Sequence, residues 1–135
     1  MPGPGWPGTR VSGVSEAQPG PADAARPGPE DTKIITLARS ARARVAAAEG
    51  AAVRDETGRT YAAAAVALPS LRLSALQLAV AMAVSSGAAS LEAAVLVSDA
   101  DQTDPADLAA VRDLGPGALV FHADPDGTVR ATLRP

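Results

Sequence analysis

The run Leu91-Glu92-Ala93-Ala94-Val95-Leu96-Val97-Ser98 limits this chain more than any other stretch. It has the length of a strand, yet its apolar residues are consecutive rather than alternating. A strand with one wet face alternates, so a strand that is apolar throughout must be covered on both faces. The chain must therefore supply helices to two sides of a sheet. Ile34, Leu37, Ala38, Ala41 and Val45 recur at helical spacing after Asp31, which can cap the helix; Arg39 and Arg42 face water and Gly50 ends it. Residues 51–54 and 59–68 read as strands joined by the turn Asp55-Glu56-Thr57-Gly58. Residues 71–86 read as a long apolar helix broken by Pro69 and Ser70 from the strand before it. Asp104-Pro105 opens a further helix that ends near Asp113, because Asp accepts orphan N–H groups and Pro has none to waste. Residues 118–122 and 128–133 are strands, and the short turn Asp124-Pro125-Asp126-Gly127 makes them antiparallel. The expected fold class is α/β: a three-layer α-β-α sandwich around a mixed five-stranded sheet whose last two strands are antiparallel.

The first thirty residues follow different rules. They hold seven of the twelve prolines and six of the twelve glycines. Such a segment cannot bury enough apolar area to offset its ordering entropy, so residues 1–30 are expected to be a disordered tail and residues 31–135 the domain. Trp6, the only tryptophan, lies in that tail. Aromatic residues make up 2% of the chain against 47% apolar, so the core must be built from Ala, Val, Leu and Ile. The formal charge of −3 lacks the basic footprint of a nucleic-acid binder. With no cysteine, disulfides and thiolate metal sites are excluded. No secretory signal pattern opens the chain and no apolar run spans a bilayer, which leaves a cytoplasmic protein as the expectation, with no membrane partner. Arg outnumbers Lys eleven to one and Asn is absent, a codon bias that fits a GC-rich, bacterial genome.

Three local patterns, in this order, resemble the cytidine deaminase family. Gly50-Ala51-Ala52-Val53 followed by Gly58-Arg59-Thr60-Tyr61 is similar to the family's first hairpin. Residues 74–88, SALQLAVAMAVSSGA, are similar to the helix that the family opens with Cys-Ala-Glu. Pro105, opening a helix after a strand and an acidic loop, is similar to the family's Pro-Cys-x-x-Cys helix, and the 32 positions from Ser74 to Ala106 match the family's separation. The resemblance covers residues 31–135. It implies a Zn²⁺ held by one ligand on the first of these helices and two on the second, a water activated to attack C4 of cytosine, and a Glu that shuttles protons.

The chain departs from that pattern at six positions. Ser74 stands at the first ligand position, Leu76 at the Glu position, and Ala106 and Ala109 at the two further ligand positions; Ala65 and Ala67 replace the Asn and Glu that hold the ribose in the family. None of these side chains suits a catalytic zinc, which needs about three N, S or carboxylate ligands. Without zinc, buried thiols and a buried Glu would be unpaired polar groups costing on the order of 1–3 kcal/mol each, so the former pocket is expected to have become hydrocarbon core.

Other candidates weigh less. Ser74 as a nucleophile has no histidine near it in sequence, and a helix cap is the better reading. His122, the only histidine, reads as a strand residue with a local hydrogen bond. The cluster Asp99, Asp101, Asp104 and Asp107 lacks the glycine and terminal Glu of a calcium loop, so capping and solubility explain it better than a cation. Tyr61 and Phe121 read as core. The resulting expectation is a catalytically inactive relative, with no catalytic residue, no metal and no cofactor. It would act as a structural or regulatory subunit through an unknown protein partner or as a homo-oligomer, with Ala75, Ala79 and Ala83 permitting close helix approach. The alternatives are a nucleoside deaminase-type hydrolase, as the resemblance by itself implies, and a non-catalytic nucleoside sensor.

Overall fold

A computed structural model describes residues 26–135; Trp6 and residues 1–25 of the expected tail lie outside that range. The elements in chain order are α1 (Pro29–Arg44), β1 (Glu49–Asp55), β2 (Thr60–Ala64), β3 (Val66–Leu68), β4 (Leu71–Leu73), α2 (Ala75–Ser85), β5 (Leu91–Ser98), α3 (Pro105–Leu114), β6 (Leu119–Ala123) and β7 (Val129–Leu133). The main sheet has the order β2-β1-β5-β6-β7. β1 is antiparallel to both neighbours, β5 and β6 are parallel across the α3 crossover, and β6 and β7 are antiparallel. This is the mixed five-stranded α/β sandwich that the apolar run demands.

β5 occupies the centre, and its residues from Ala93 to Ser98 are all buried. Ala93, Val95 and Val97 face Ile34, Ile35 and Ala38 of α1, with Phe121 beside them. Ala94 and Leu91 face the opposite cluster, where Ala75, Leu76, Ala79, Val80 and Ala83 of α2 meet Val53, Val120 and Val111 of α3. Small residues let the layers close. A Cβ on Gly50 would lie 2.2 Å from the Ala38 carbonyl oxygen of α1, so only glycine allows helix and strand to approach this closely.

The strand expected over residues 59–68 divides at Ala65 into β2 of the main sheet and β3 of a separate one, and two further boundaries differ from the sequence reading for local reasons. α1 begins at Pro29 rather than after Asp31, within the stretch assigned to the tail. Pro29 takes the first helical position, and the Asp31 carboxylate reaches back to accept the Gly28 N–H at 3.0 Å. Residues 71–73 are a strand, not helix. Pro69 and Ser70 form a tight turn that pairs Leu68 with Leu71, giving a separate hairpin of β3 and β4. The helix waits for Ser74, a far better cap: its Oγ accepts the Gln77 N–H at 3.1 Å while the Gln77 side chain accepts the Ser74 N–H at 3.1 Å. The stripe Ala75, Ala79 and Ala83 is fully buried inside this fold, so it is not the surface for subunit contact that the sequence suggested. Among the described residues, no helix is long and apolar enough to cross a membrane.

Candidate functional site

The N-termini of α2 and α3 meet beside the carboxyl end of β5, the edge at which open α/β sheets bind ligands. Ser74 caps α2 and Asp104 caps α3, the latter by accepting the Ala106 N–H at 2.8 Å. Asp107 sits three residues into α3 on its inward side and is only 3% exposed. The Ser74 hydroxyl donates to its Oδ1 at 2.6 Å, which ties the two helix starts together. Glu49, at the beginning of β1, completes the group by accepting the Ala75 N–H at 2.9 Å, at the positive end of α2. These carboxylates open onto a cleft of about 440 Å³, whose lining includes Glu49, Leu96, Ser98, Thr103, Asp104 and Asp107.

Burial pushes the Asp107 carboxyl above the usual carboxylate range; the bond from Ser74 opposes the shift, and the nearby charges of Glu49 and Asp104 add to it. A carboxyl so placed can hold a proton at a higher pH than a surface aspartate. The cluster therefore offers an acid or base, a hydroxyl that orients it, and a second carboxylate beside it.

His122 lies behind Ser98 and lines a separate cavity of about 300 Å³. It is 1% exposed on β6, with Nε2 at 2.9 Å from the Ser98 Oγ and Nδ1 at 3.2 Å from the Thr103 Oγ1. Its partners come from the end of the neighbouring strand and the loop after it. Burial lowers its pKa below the usual histidine value; Arg130 reinforces this, against Asp124 and Glu49.

The six family positions are placed as follows. Ser74 is at the site, and Leu76 is fully buried in the core beneath it. Ala106 is exposed on the first turn of α3, Ala109 is half-buried one turn on, Ala65 is half-buried at the junction of β2 and β3, and Ala67 is exposed on β3. The hydrocarbon filling expected for the whole pocket holds for Leu76 only; the junction of the two helices carries a polar cluster instead. The sequence pattern groups Asp107 with the solvating acids and carries no signal at Glu49. The available signal was Asp107's place three residues after the Asp104 cap, on the side of α3 that faces inward.

The acidic loop is used piecewise. Asp104 caps, Asp107 is buried, and Asp101 lies 3.7 Å from Arg130. Among the described residues no group of three or more His, Cys, Asp and Glu side chains is placed to hold a metal ion. At the positions that the resemblance assigns to zinc ligands the residues do not fit the metal: methyl groups stand at two, and the Ser74 hydroxyl at the third is committed to Asp107 and to the Gln77 N–H.

Comparison with known proteins gives consistent results. The solved cytidine deaminase of Burkholderia pseudomallei is 22% identical, with a TM-score of 0.66 over 76% of this chain and 90% of that one. The cytidine deaminase of Mycobacterium leprae is 18% identical, with a TM-score of 0.60 over 76% and 90%. A mutant cytidine deaminase of Mycobacterium tuberculosis is 23% identical, with a TM-score of 0.57 over 67% and 83%. No curated protein matches the sequence. The expectation of a non-enzyme is corrected by these matches, since all three structures are of enzymes. That expectation took the replaced family positions as the whole site, whereas the same place carries the Ser74, Asp107 and Glu49 group. A family model described as cytidine deaminase-like matches residues 27–127, and the chain belongs to that cytidine deaminase-like family.

Proposed function

We propose that this chain is a nucleoside deaminase-type hydrolase working from a carboxylate and hydroxyl site at the facing starts of α2 and α3. The observation that supports this reading is Asp107: a carboxyl 3% exposed, held by Ser74, on the wall of a cleft of about 440 Å³. Cavities of this size take small organic ligands. Hydrolytic deamination joins a water oxygen to a ring carbon, breaks the bond to the exocyclic amine, and moves a proton from the water to the departing ammonia. Asp107 takes that proton and returns it, and the Ser74 hydroxyl holds the carboxyl in place for both transfers. The acidic wall of Glu49 and Asp104 suits the amine, which is a hydrogen-bond donor. Ala65 and Ala67 offer no polar side chain to a sugar, so recognition falls on the aminated ring.

Cytidine is the first substrate to try, because the solved relatives are cytidine deaminases. Full-length protein is incubated with cytidine, with and without a metal chelator, and both ammonia and uridine are measured. The expected result is equal amounts of the two products, insensitivity to the chelator, and a loss in kcat on the order of 10²-fold or more in D107N. No ammonia above that of heat-treated protein overturns the reading. Saturable binding without product would keep the cleft as a binding site and remove the hydrolase.

A further inference from the structure

Ser98, His122 and Thr103 form a second constellation that the deamination above does not use. Ser98 ends β5 and lines the cleft. Its Oγ is 2.9 Å from His122 Nε2, and the far side of the ring, Nδ1, is 3.2 Å from Thr103 Oγ1. We propose that Ser98 is a nucleophile for acyl transfer, with His122 as its general base and Thr103 as the group that fixes the ring. The three roles a serine nucleophile needs close to it are nucleophile, base and orienter, and the tertiary fold supplies each from a different segment.

The hydrogen bonds are consistent with one tautomer. Nδ1–H donates to the Thr103 hydroxyl oxygen, which leaves Nε2 free to accept the Ser98 proton. Burial lowers the ring's pKa below the usual histidine value, which favours the neutral form that a base needs. The loop carrying Thr103 is held against the sheet, since Arg130 donates to the Ala100 carbonyl at 2.7 Å and to Asp124 at 2.8 Å. Thr103 and Gln102 line both the main cleft and a second cavity of about 300 Å³ on the His122 side, so the pair sits between two open spaces.

In the first step the Ser98 Oγ bonds to an acyl carbon, its proton passes to Nε2, and the bond to the leaving oxygen breaks. Nε2 then gives the proton to that oxygen. In the second step water attacks the acyl carbon with its proton going to Nε2, the Oγ–acyl bond breaks, and Ser98 regains the proton. The acidic wall formed by Glu49, Asp104 and Asp107 selects neutral or cationic acyl groups over anionic ones.

The test is labelling of full-length protein with a neutral fluorophosphonate and with p-nitrophenyl acetate, followed by intact-mass and peptide mass spectrometry. A single adduct on the peptide carrying Ser98 is expected, absent in S98A and at least 10²-fold slower in H122Q. The labelling rate should rise with pH to a plateau, with the midpoint below the usual histidine range. Burial sets that midpoint first, Arg130 on β7 lowers it further, and Asp124 after β6 and Glu49 on β1 oppose the shift, while Asp101 in the loop lines the same cavity as the ring. Circular dichroism confirms that each variant is folded, and T103V gives a second readout by slowing labelling without removing the adduct. Folded protein that gains no adduct at millimolar probe, or an adduct that persists in S98A, overturns the proposal. Neither reagent contains a nucleoside, so failure here is separate from failure of the deaminase reading.

Discussion

The bond between Ser74 and Asp107 makes a quantitative prediction. In S74A two interactions disappear together. Loss of the helix cap, the 3.1 Å bond to the Gln77 N–H, costs about 1 kcal/mol. Loss of the 2.6 Å donor to the Asp107 carboxylate costs roughly 1.5–3 kcal/mol, the range for a hydrogen bond to a charged group. The sum is roughly 2.5–4 kcal/mol, a fall in Tm of roughly 10–20 °C for a domain of this size. The cap can be separated from the buried bond by a double-mutant cycle with D107A. In that background S74A should cost only the cap, leaving a coupling energy of roughly 1.5–3 kcal/mol. Urea titrations at fixed temperature measure all four proteins. The pH dependence has a definite sign: Ser74 donates to the ionised carboxylate, so its loss hurts most above the raised Asp107 pKa and least once the carboxyl is protonated. If S74A costs the same with and without Asp107, or the same at low and neutral pH, the two side chains are not coupled. The candidate site would then lose its central contact.

Leu76→Ala should destabilise by about 2–5 kcal/mol, measured by urea denaturation, because Leu76 is completely buried and α2 cannot follow the lost volume. Gly50→Ala should prevent normal packing of α1, lowering Tm sharply in a thermal melt, since the new Cβ would meet the Ala38 carbonyl at 2.2 Å. Asp55 is held below the usual carboxylate range: burial opposes this, but bonds from Thr57, the Tyr61 hydroxyl and the Arg59 N–H outweigh it. Its stabilisation is therefore present above a pH of about 3.8 and lost as pH falls through the lower folded value, so the Tm difference between wild type and D55N should shrink under acid. His122 works in the same direction in a higher window. With its folded pKa below the usual value, stability should decline as pH falls below about 6.5, and H122Q should flatten that decline.

The sheet and its layers were legible because they follow from short-range pattern. The unbroken apolar run of β5 required cover on both faces, and Asp104-Pro105 marked the start of α3 by backbone chemistry alone. Residues 71–73 read as helix because the apolar run continues from Leu71 into α2; pairing of Leu68 with Leu71 across Pro69 and Ser70 makes them a strand instead. The resemblance assigned six positions residue by residue, but the polar cluster beside them was not legible. Asp107 and Ser74 are 33 residues apart, and Ser98 and His122 are 24 apart. No local signal records such meetings, because they depend on how far α2 and α3 approach and on the register of β5 against β6. Sequence by itself determined which segments become helix or strand and which faces they bury. Only the tertiary structure decided that one of four acidic residues would leave water, since burial is a property of the packed layers and not of any residue within them.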